Sequence, residues 1–584
     1  MSSVFSSRWR QFGWLEPQLG VLVFIVAGVY FTRLGEMTLR GEETRRARVA
    51  IEMLETGDWV VPHEQGRLFP DRPPLGNWLI ALSMLATGSQ GVVAVRLPTV
   101  LATLATTFII YGYSRRFLSA NGALVAGLAY ATMGQVLSLG MLAETEATFT
   151  LLVGASLLLW HAAYRGGLPA WQTWCLGYVL AGLAALAKGP QGPIYFAAAT
   201  TVYLFVRRDW RFWLSWPHLL GIAAGVTVVA VWQVPYSLVV DWPHVLQTWG
   251  HTSAARFDYS SPWPVIKHLL SFPCEIAGCL LPWSVWLLAY LHRDFRRSLG
   301  AKTDPVMFLS IVIALAFPTC WLAPQARGRY FMPLYPCFAP LIGIVIQQAW
   351  ATEALAAVRT LWRRYMAVAS LVMLATGCVV VAASFAGLLA TTPFYQPAAF
   401  AIIFLLLVML LAAVLWRARS PAPHNAAVAG VVGLALFLGL TFNGLVMNDA
   451  IRRSDDLLGQ VATLKKQLPP DVRLVSFGRS HHPFVYYYGE TIPWLDWPKS
   501  ASDAADCEYF CFHSMNGRRK PLPFDWEEIA LIRCDRYRRS KPVDAVVVGR
   551  RILPNEVGRV GPASGASAGP PRLGVSFQAS GFRR

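Results

Sequence analysis

Two acidic residues that follow the first apolar stretch of the chain have the chemistry needed for catalysis at a membrane surface. Glu42 and Glu43 stand at the start of an amphipathic segment, just after the apolar run that ends near residue 34. Carboxylates at a helix start are stabilised by the helix dipole and stay ionised, as a general base or a metal ligand must. We therefore expect both to be catalytic, with Glu43 also a candidate metal ligand.

A second acidic pair lies between two apolar stretches, at Glu144 and Glu146. Carboxylates so close to hydrocarbon are costly unless they are paired or hydrated, so ionisable residues there indicate function. Lys188 and the Arg329-Tyr330 segment add cations at similar junctions. A phosphate carried by a lipid needs such cations, because Arg offers a bidentate fork and Lys a point charge.

Other charged residues are typical of ordinary surface structure. The charges that follow Glu43 recur at helical spacing and favour the solvated face of an interfacial helix. These charges are Arg45, Arg46, Arg48, Glu52 and Glu55. The His481-His482 pair suggests metal binding, but no spaced Cys, Asp or His completes a site in the sequence.

The composition indicates a membrane protein. Of 584 residues, 55% are hydrophobic and only 14% charged, with a mean hydropathy of +0.42, which leaves too little polar surface to coat a soluble protein of this size. The net charge of +18 comes from basic residues in short loops between apolar runs, so it sets orientation and does not indicate nucleic-acid binding. The nine cysteines show no zinc or disulfide pattern.

About thirteen stretches have the roughly 20 apolar residues that a bilayer-crossing helix requires. Their approximate cores are 17–34, 91–113, 120–140, 147–163, 172–187, 190–206, 216–238, 268–291, 305–322, 333–349, 364–388, 398–416 and 425–446. The run from Trp78 to Ala86 is too short to cross and is placed at the interface or in a re-entrant segment. The sequence therefore predicts a polytopic α-helical membrane protein.

The loop charges orient these spans. With the N-terminus inside, alternate loops that carry arginine face the cytoplasm, as the positive-inside rule requires. The same alternation places the first loop, residues 35–90, and all the polar motifs above on the opposite face. A single site can therefore be built from them.

The chain changes character after Met447. We predict a transmembrane domain over 1–446, a soluble α/β domain over 447–560 on the non-cytoplasmic side, and a disordered tail over 561–584. The second domain contains short strand-like runs, predicted at Arg473–Phe477, Phe484–Tyr488 and Ala545–Val548.

Several motifs together resemble one family. They are Glu42-Glu43-Thr44-Arg45, Met53 to Pro62, Asp71-Arg72-Pro73-Pro74-Leu75, Arg96-Leu97-Pro98, Thr145-Glu146, Lys188-Gly189 and Arg329 to Pro336. In this order they resemble the bacterial aminoarabinose (lipid A) transferases, which are related to the protein O-mannosyltransferases. The likeness covers most of residues 15–340, and the first-loop motif combined with the Arg72–Trp78 segment is its most specific part.

The resemblance implies a GT-C-type inverting glycosyltransferase with thirteen membrane helices, which uses a polyprenyl-phosphate sugar at the periplasmic face of a bacterial inner membrane. Three acidic positions depart from the family's pattern by one methylene, and one basic position has Arg in place of Lys. Glu42 and Glu146 stand where the family has Asp, and Asp71-Arg72 replaces Glu-Lys. Charge is kept at the acidic and basic positions, but the reach of the side chains is changed.

The expected roles are as follows. The catalytic residues are expected to be Glu42, Glu43 and Glu146. The donor phosphate is expected to be bound by Arg72, Lys188, Arg329 and Tyr330, and the pocket to be lined by Arg45, Asp71, Glu144 and Arg256. The one cofactor left open is a divalent metal ion, for which the candidate ligands are Glu43 and Asp71. The expected partners are the lipid-linked donor, a glycolipid or protein acceptor and membrane lipids, without nucleic acid. A lipid-linked-sugar flippase or transporter and an O-antigen ligase or polymerase remain as alternatives.

Overall fold

The structure, a computed structural model, describes residues 16–254, 262–351, 355–388, 397–419, 424–452, 456–515, 520–535 and 544–552. Within these ranges a bundle of apolar helices is followed by a five-stranded sheet. Arg256 and the 561–584 segment lie outside the described residues, so the predictions made for them stay predictions.

The helices of the first half begin with the apolar run 17–31. They are α1 (Pro17–Phe31), α2 (Glu42–Thr56), α3 (Leu75–Thr87), α4 (Val92–Ser114), α5 (Ala120–Ala131), α6 (Gly134–Leu139), α7 (Thr145–Gly166), α8 (Ala170–Lys188), α9 (Gln191–Arg207), α10 (Trp210–Trp213), α11 (Trp216–Val239) and α12 (Trp242–Ala254). Between α2 and α3, a small hairpin is formed by β1 (His63–Glu64) and β2 (Arg67–Leu68).

The second half of the bundle contains both α-helices and 3₁₀ segments. The α-helices are α13 (Pro262–Cys279), α14 (Arg293–Arg297), α15 (Thr303–Trp321), α16 (Tyr335–Ala351), α17 (Ala356–Phe385), α18 (Pro397–Ala418), α19 (His424–Thr441) and α20 (Met447–Arg452). The 3₁₀ segments are Trp283–Leu291, Gly300–Lys302 and Gly328–Leu334, and a π-helical turn, Phe442–Val446, joins α19 to α20.

The structure confirms a polytopic helical membrane protein. In the described part of the chain, nine helices are long and apolar enough to cross a bilayer, or ten when one bent pair is counted as a span. Three further predicted spans are shorter, because α1, α5 and α9 contain 15, 12 and 17 residues.

The predicted span 268–291 is a broken one. Helix α13 and the 3₁₀ segment Trp283–Leu291 meet at an angle of 115°. Pro282 lies immediately before the second piece. A proline has no N–H to donate, and its ring disfavours a continuing helix, so the apolar run changes direction there.

Helix α2 is more buried than its amphipathic pattern predicts. The pattern places Arg48 and Glu52 on a solvated face, but only 1% and 3% of them is exposed. Glu52 accepts hydrogen bonds from the backbone N–H groups of Gln65 and Gly66, at 2.8 and 3.1 Å. The prediction of a solvated face is therefore wrong for Arg48 and Glu52, because the hairpin and Thr491 from the C-terminal part of the chain cover them, whereas Glu55 is exposed as predicted.

The C-terminal sheet region, residues 456–552, contains five strands in the order β4-β3-β5-β7-β6. They are β3 (Val475–Phe477), β4 (Trp494–Leu495), β5 (Tyr509–Met515), β6 (Trp526–Asp535) and β7 (Asp544–Arg551). Strand β3 runs parallel to β4 and β5, whereas β7 pairs antiparallel with β5 and β6. Helices α21 (Leu457–Gln467) and α22 (His482–Tyr488) pack against this sheet through a common apolar core.

Two of the three predicted strands are confirmed, at β3 and β7, but the strand predicted at 484–488 is wrong. Those residues belong to α22. Pro483 occupies the first turn, where a missing N–H costs nothing, and Gly489 ends the helix with a φ of 83°. Burial of Phe484 and Tyr488 in the sheet's core overrides the β-propensity of the aromatic run.

Candidate active site at one end of the spans

Glu42 stands at the first position of α2. Gly41 precedes it with φ +55°, a positive value that glycine adopts without a steric penalty, and the chain turns there into the helix. The Glu42 side chain is 37% exposed, and both of its carboxylate oxygens accept hydrogen bonds from Nη1 of Arg45, at 2.8 and 2.9 Å. Glu42 is therefore an accessible carboxylate, held in place by the next turn of its own helix.

Glu43 points the other way and is buried. Its two oxygens accept hydrogen bonds from Nε and Nη2 of Arg96 on α4, both at 2.8 Å, and one oxygen also accepts from the Ala143 backbone N–H at 2.9 Å. A carboxylate so fully engaged has little capacity for a metal or for substrate. We therefore assign Glu43 a positioning role, because it ties the start of α2 to a membrane span.

Glu146 and Lys188 form a buried ion pair between two neighbouring spans. Glu146 lies in the first turn of α7, and Lys188 is the last residue of α8, which Gly189 ends at φ +120°. Lys188 Nζ is 2.9 Å from Glu146 Oε1, and the side chains are only 6% and 3% exposed. Lys188 Nζ also lies 5.4 Å from the centre of the Tyr330 ring.

Arg329 joins the same pair from a third element, the 3₁₀ segment Gly328–Leu334. Its Nη1 donates to Glu144 Oε2 at 2.9 Å, and its Nε is 3.9 Å from Glu146 Oε1. Burial, together with the charge of Glu146, raises the pKa of Glu144 to about 7. Glu144 is therefore partly protonated at neutral pH, and the strength of its ion pair with Arg329 changes with pH.

Asp71 and Arg72 bring the loop after the hairpin into the site. Arg72 Nη1 donates to the Thr145 hydroxyl at 2.9 Å, and Asp71 lies between Arg72 and Arg46, at 3.4 and 3.2 Å. Burial acts to raise the pKa of Asp71, but these guanidinium groups and Arg45 outweigh it and hold the pKa below its usual value. Surrounded by cations, Asp71 is a poor metal ligand.

Within the described ranges, neither Glu43 nor Asp71 belongs to a group of three potential metal ligands. The arginines around each of them already compensate the carboxylate charge that would attract a cation. We therefore make no metal proposal at these two residues.

The C-terminal sheet region contributes side chains that the sequence did not single out for this site. Arg45 Nε is 3.6 Å from Glu64, which also pairs with Arg479, and Arg45 Nη2 is 3.4 Å from His482 Nδ1. Burial, followed by the charge of Arg45, lowers the pKa of His482 well below its usual value. His482 is therefore neutral, and its Nδ1 can accept a hydrogen bond from Arg45.

Arg46, Arg96 and Arg479 pair with carboxylates at or beside the candidate site, and the sequence analysis gave them no role there. A lone arginine inside an apolar span, such as Arg96, is a usable sequence signal, because an unpaired charge there is costly. Arg46 lies among charges that fit a solvated helix face, and Arg479 is more than 400 residues away, so neither carried a signal.

Apart from the Glu43–Arg96 and Glu64–Arg479 pairs, five basic side chains meet four carboxylates at this site. The basic ones are Arg45, Arg46, Arg72, Lys188 and Arg329; the acidic ones are Glu42, Asp71, Glu144 and Glu146. With Glu144 partly protonated, the site has a surplus of positive charge. Such a site can bind a phosphate and keep one accessible carboxylate at its edge.

Comparisons with known proteins show which proteins this chain is similar to. Residues 71–234 match the family described as dolichyl-phosphate-mannose-protein mannosyltransferase. The undecaprenyl phosphate-α-4-amino-4-deoxy-L-arabinose arabinosyl transferase of Pseudomonas aeruginosa PAO1 is 29% identical over 313 residues, which are 51% of this chain and 53% of that protein. The enzyme of the same name from Edwardsiella ictaluri is 27% identical over 319 residues, 53% of this chain and 54% of that protein. The chain thus matches about half the length of these curated relatives.

The fold comparison extends over more of the chain. The crystal structure of ArnT from Cupriavidus metallidurans bound to undecaprenyl phosphate superposes with a TM-score of 0.64 at 18% identity, covering 92% of this chain and 98% of that one. Its apo structure gives the same score over 94% and 100%. Sequence and fold together confirm the predicted resemblance: the chain is similar in sequence to bacterial aminoarabinose transferases and shares the membrane fold of ArnT.

Proposed function

We propose that this chain is an inverting glycosyltransferase that moves a sugar from a polyprenyl phosphate, such as undecaprenyl phosphate, to a lipid A-like, other glycolipid or protein acceptor. The observation that carries the proposal is the convergence of Lys188, Arg329 and Arg72 from three separate elements at the end of the bundle, beside the accessible carboxylate of Glu42.

The donor already has a good leaving group, so the main task is to neutralise the phosphate as it departs. Lys188 and Arg329 are placed for this, because each is held by a carboxylate and by the Tyr330 ring and is thereby pre-oriented. Arg72 adds a third positive charge. Burial and the charge of Arg46 lower the pKa of Arg72, whereas the charges of Asp71, Glu146 and Glu42 act to raise it.

Glu42 acts as the base or orients the acceptor. In a single displacement the acceptor oxygen forms the new bond to the anomeric carbon, the bond from that carbon to the phosphate oxygen breaks, and Glu42 takes the acceptor proton. The phosphate leaves with the electron pair of the broken bond. Glu146, Glu144 and Asp71 hold the cations in place, and Arg45 positions Glu42. Arg256 stays a predicted pocket residue.

We also propose that the site faces the periplasm of a bacterial inner membrane. Arg165 and Arg207, at the far ends of α7 and α9, both pair with Asp304 and lie where the positive-inside rule expects cytoplasmic charge. In this arrangement α1, α5 and α9 complete thirteen spans. The boundary near residue 446 then separates the transmembrane domain from a periplasmic α/β domain that contains the C-terminal sheet region.

A transporter is not favoured by the position of these charges. Secondary transporters hold substrate near the bilayer midplane on interrupted helices. Here Glu146 lies in the first turn of its span, and Lys188 ends its own span. The charges therefore lie at one end of the bundle, where a lipid headgroup would meet them.

The proposal is tested with the full chain in proteoliposomes that contain a polyprenyl-phosphate sugar, with and without lipid A. Mass spectrometry follows free polyprenyl phosphate and sugar-bearing acceptor. Acceptor-dependent release of polyprenyl phosphate supports a transferase. Movement of intact donor across the bilayer without release, or no consumption across a panel of donors, contradicts it.

A further inference from the structure

A second cluster of ionisable side chains lies in the C-terminal sheet region, at residues that the proposed transfer does not use. Two histidines and an aspartate, far apart in sequence, come together there: His481 just before α22, His513 on β5 and Asp544 at the start of β7. One ligand atom from each lies within 4.8 Å of the other two. No other group of three is found among the described residues.

The strand register explains how the fold assembles this group. In the antiparallel β5–β7 pair, His513 is opposite Val546 and Met515 is opposite Asp544. His513 and Asp544 are therefore diagonal neighbours on one face of the sheet, because side chains two positions apart share a face. His481 reaches the same face from the residue that precedes α22, and its ring centre lies 5.2 Å from that of His513.

The spacing already approaches that of metal ligands. Around a tetrahedral Zn²⁺ with bonds of about 2.0–2.1 Å, ligand atoms are about 3.3 Å apart. His513 Nε2 is 3.3 Å from Asp544 Oδ1, and His481 Nε2 is 3.8 Å from Asp544 Oδ2. Small rotations of the side chains would bring all three onto one ion.

The hydrogen bonding also leaves this group incomplete. His513 Nε2 is shielded from solvent, yet it has no hydrogen-bond partner in the described part of the chain, because its 3.3 Å approach to Asp544 Oδ1 is misaligned for one. Buried polar atoms without partners are rare in folded proteins and call for a physical reason. A metal ion with imidazole and carboxylate ligands supplies one.

We propose that His481, His513 and Asp544 bind a Zn²⁺ or similar divalent transition-metal ion, with water in the remaining position. Imidazole with carboxylate suits such ions better than Mg²⁺ or Ca²⁺, which prefer oxygen ligands. The ion fixes the start of α22 on the sheet. The same helix contacts the first loop through Tyr487, whose hydroxyl accepts from the Leu39 N–H at 2.6 Å. The metal is thus a structural clamp, independent of the chemistry proposed for the transfer site.

The test uses the full-length chain in detergent, stripped with a chelator, incubated with a small excess of ZnCl₂ and then desalted. Zinc content is measured by plasma mass spectrometry on the wild type and on two near-isosteric variants, His513→Gln and Asp544→Asn. The matched control is His292→Gln, because His292 also lies beside an aspartate, Asp294, at 3.9 Å but belongs to no group of three ligands among the described residues. Each sample must elute as one monodisperse peak.

We expect about one zinc ion per chain in the wild type and the control, and loss of most of it in both variants. Zinc should raise Tm in the wild type and leave it unchanged in the variants. If one variant does not fold, the other still gives the comparison, and visible absorption of bound Co²⁺ reports coordination in the wild type alone. A wild type that retains no zinc, or zinc that both variants retain, overturns the proposal.

Discussion

At the scale of single residues, the buried Lys188–Glu146 pair raises the question of what the lysine charge is for. Its partner is 2.9 Å away, so the ammonium could serve only to neutralise Glu146. In the proposed mechanism the ammonium also binds the donor phosphate. The two roles differ in what happens when both charges are removed together.

We expect Lys188→Met to destabilise the protein by about 3–5 kcal/mol, because it leaves a buried carboxylate without its partner. In Lys188→Met/Glu146→Gln most of the stability should return, while turnover stays low because the phosphate has lost a cation. Thermal unfolding and donor turnover are measured on the same samples. Lys302→Met is the control. Lys302 donates a hydrogen bond to Gln348 and lies at the start of the span Gly300–Trp321, at the end of the bundle away from the candidate site. Recovered turnover in the double variant would show that Lys188 only neutralises Glu146.

In the proposed transfer reaction, Glu144 should make the affinity for the donor depend on pH. Burial and Glu146 raise its pKa to about 7, so it is neutral below that pH and charged above it. When charged it competes with phosphate for Arg329, 2.9 Å away. The donor is a phosphodiester and does not itself titrate in this range.

The donor KM should therefore rise between about pH 6 and pH 9. If bound phosphate raises the pKa of Glu144 by about one unit, the rise approaches tenfold. Glu144→Gln should remove the dependence and keep the low KM across the range. Initial rates at varied donor concentration measure it. A wild-type KM that is flat with pH, or a slope that the variant keeps, would refute this role of Glu144.

At the scale of elements, the Glu43–Arg96 pair holds the start of α2 on the span α4. Arg96 also donates hydrogen bonds to the backbone oxygens of Leu34 and Met37, so it fixes the segment that precedes Glu42. Removing one partner leaves a buried charge and loosens the segment that carries Glu42.

We expect Glu43→Gln to lower the free energy of unfolding by about 3–5 kcal/mol and to reduce kcat with it. Glu55→Gln is the control, because it removes a carboxylate from the same helix, but an exposed one that bonds Arg48 and Thr491 away from the transfer site. Unfolding by heat and donor turnover are the measurements. A stable Glu43→Gln protein that is nevertheless inactive would point to direct catalysis by Glu43.

The sequence predicts some elements well and others wrongly, for physical reasons. Long apolar runs such as 91–113 and 216–238 identify their helices, because hydrocarbon leaves few alternatives for the backbone. The aromatic run before Gly489 has a β-like propensity and favours a strand, whereas burial against the sheet makes it a helix. The local sequence pattern contains no information about that tertiary contact.

The candidate site is predictable in a similar, partial way. Ionisable residues at span ends identify Glu42, Glu146, Lys188 and Arg329, since charge near hydrocarbon is rare without a function. The burial of Arg48 and Glu52 does not follow from the sequence, because a helix pattern reveals a polar face but not what covers it. His513 and Asp544 become neighbours of His481 only through strand pairing.

At the scale of the whole molecule, the first loop and the C-terminal sheet region are joined by Gln65. Its backbone oxygen accepts from the Trp494 N–H at 3.1 Å, its side-chain oxygen from the Ser480 N–H at 3.1 Å, and its amide donates to the Ile492 oxygen at 3.1 Å. This residue is 2% exposed. The sheet region therefore depends on a loop more than 400 residues earlier.

Gln65→Ala should cost about 1–3 kcal/mol, because buried backbone groups of the sheet region lose their partners. Limited proteolysis should then release the C-terminal part faster than in the wild type. Gln460→Ala is the control, since Gln460 also bonds a backbone N–H and oxygen, those of Arg533, but within the sheet region. Equal cleavage rates in the wild type and Gln65→Ala would mean that this link does not hold the two parts together.

Cleavage of a polyprenyl-phosphate sugar with the help of Glu42 is the central step of the proposed function. The most direct measurement is the rate of polyprenyl phosphate release by the reconstituted chain as wild type, Glu42→Gln and Glu36→Gln. Glu36 is the matched control, because it forms the same kind of exposed pair, with Arg33, outside the site. We predict that Glu42→Gln lowers kcat about 10²- to 10⁴-fold with donor binding kept, whereas Glu36→Gln releases polyprenyl phosphate at the wild-type rate. Full release by Glu42→Gln, or none by the wild type with any donor, would contradict this mechanism.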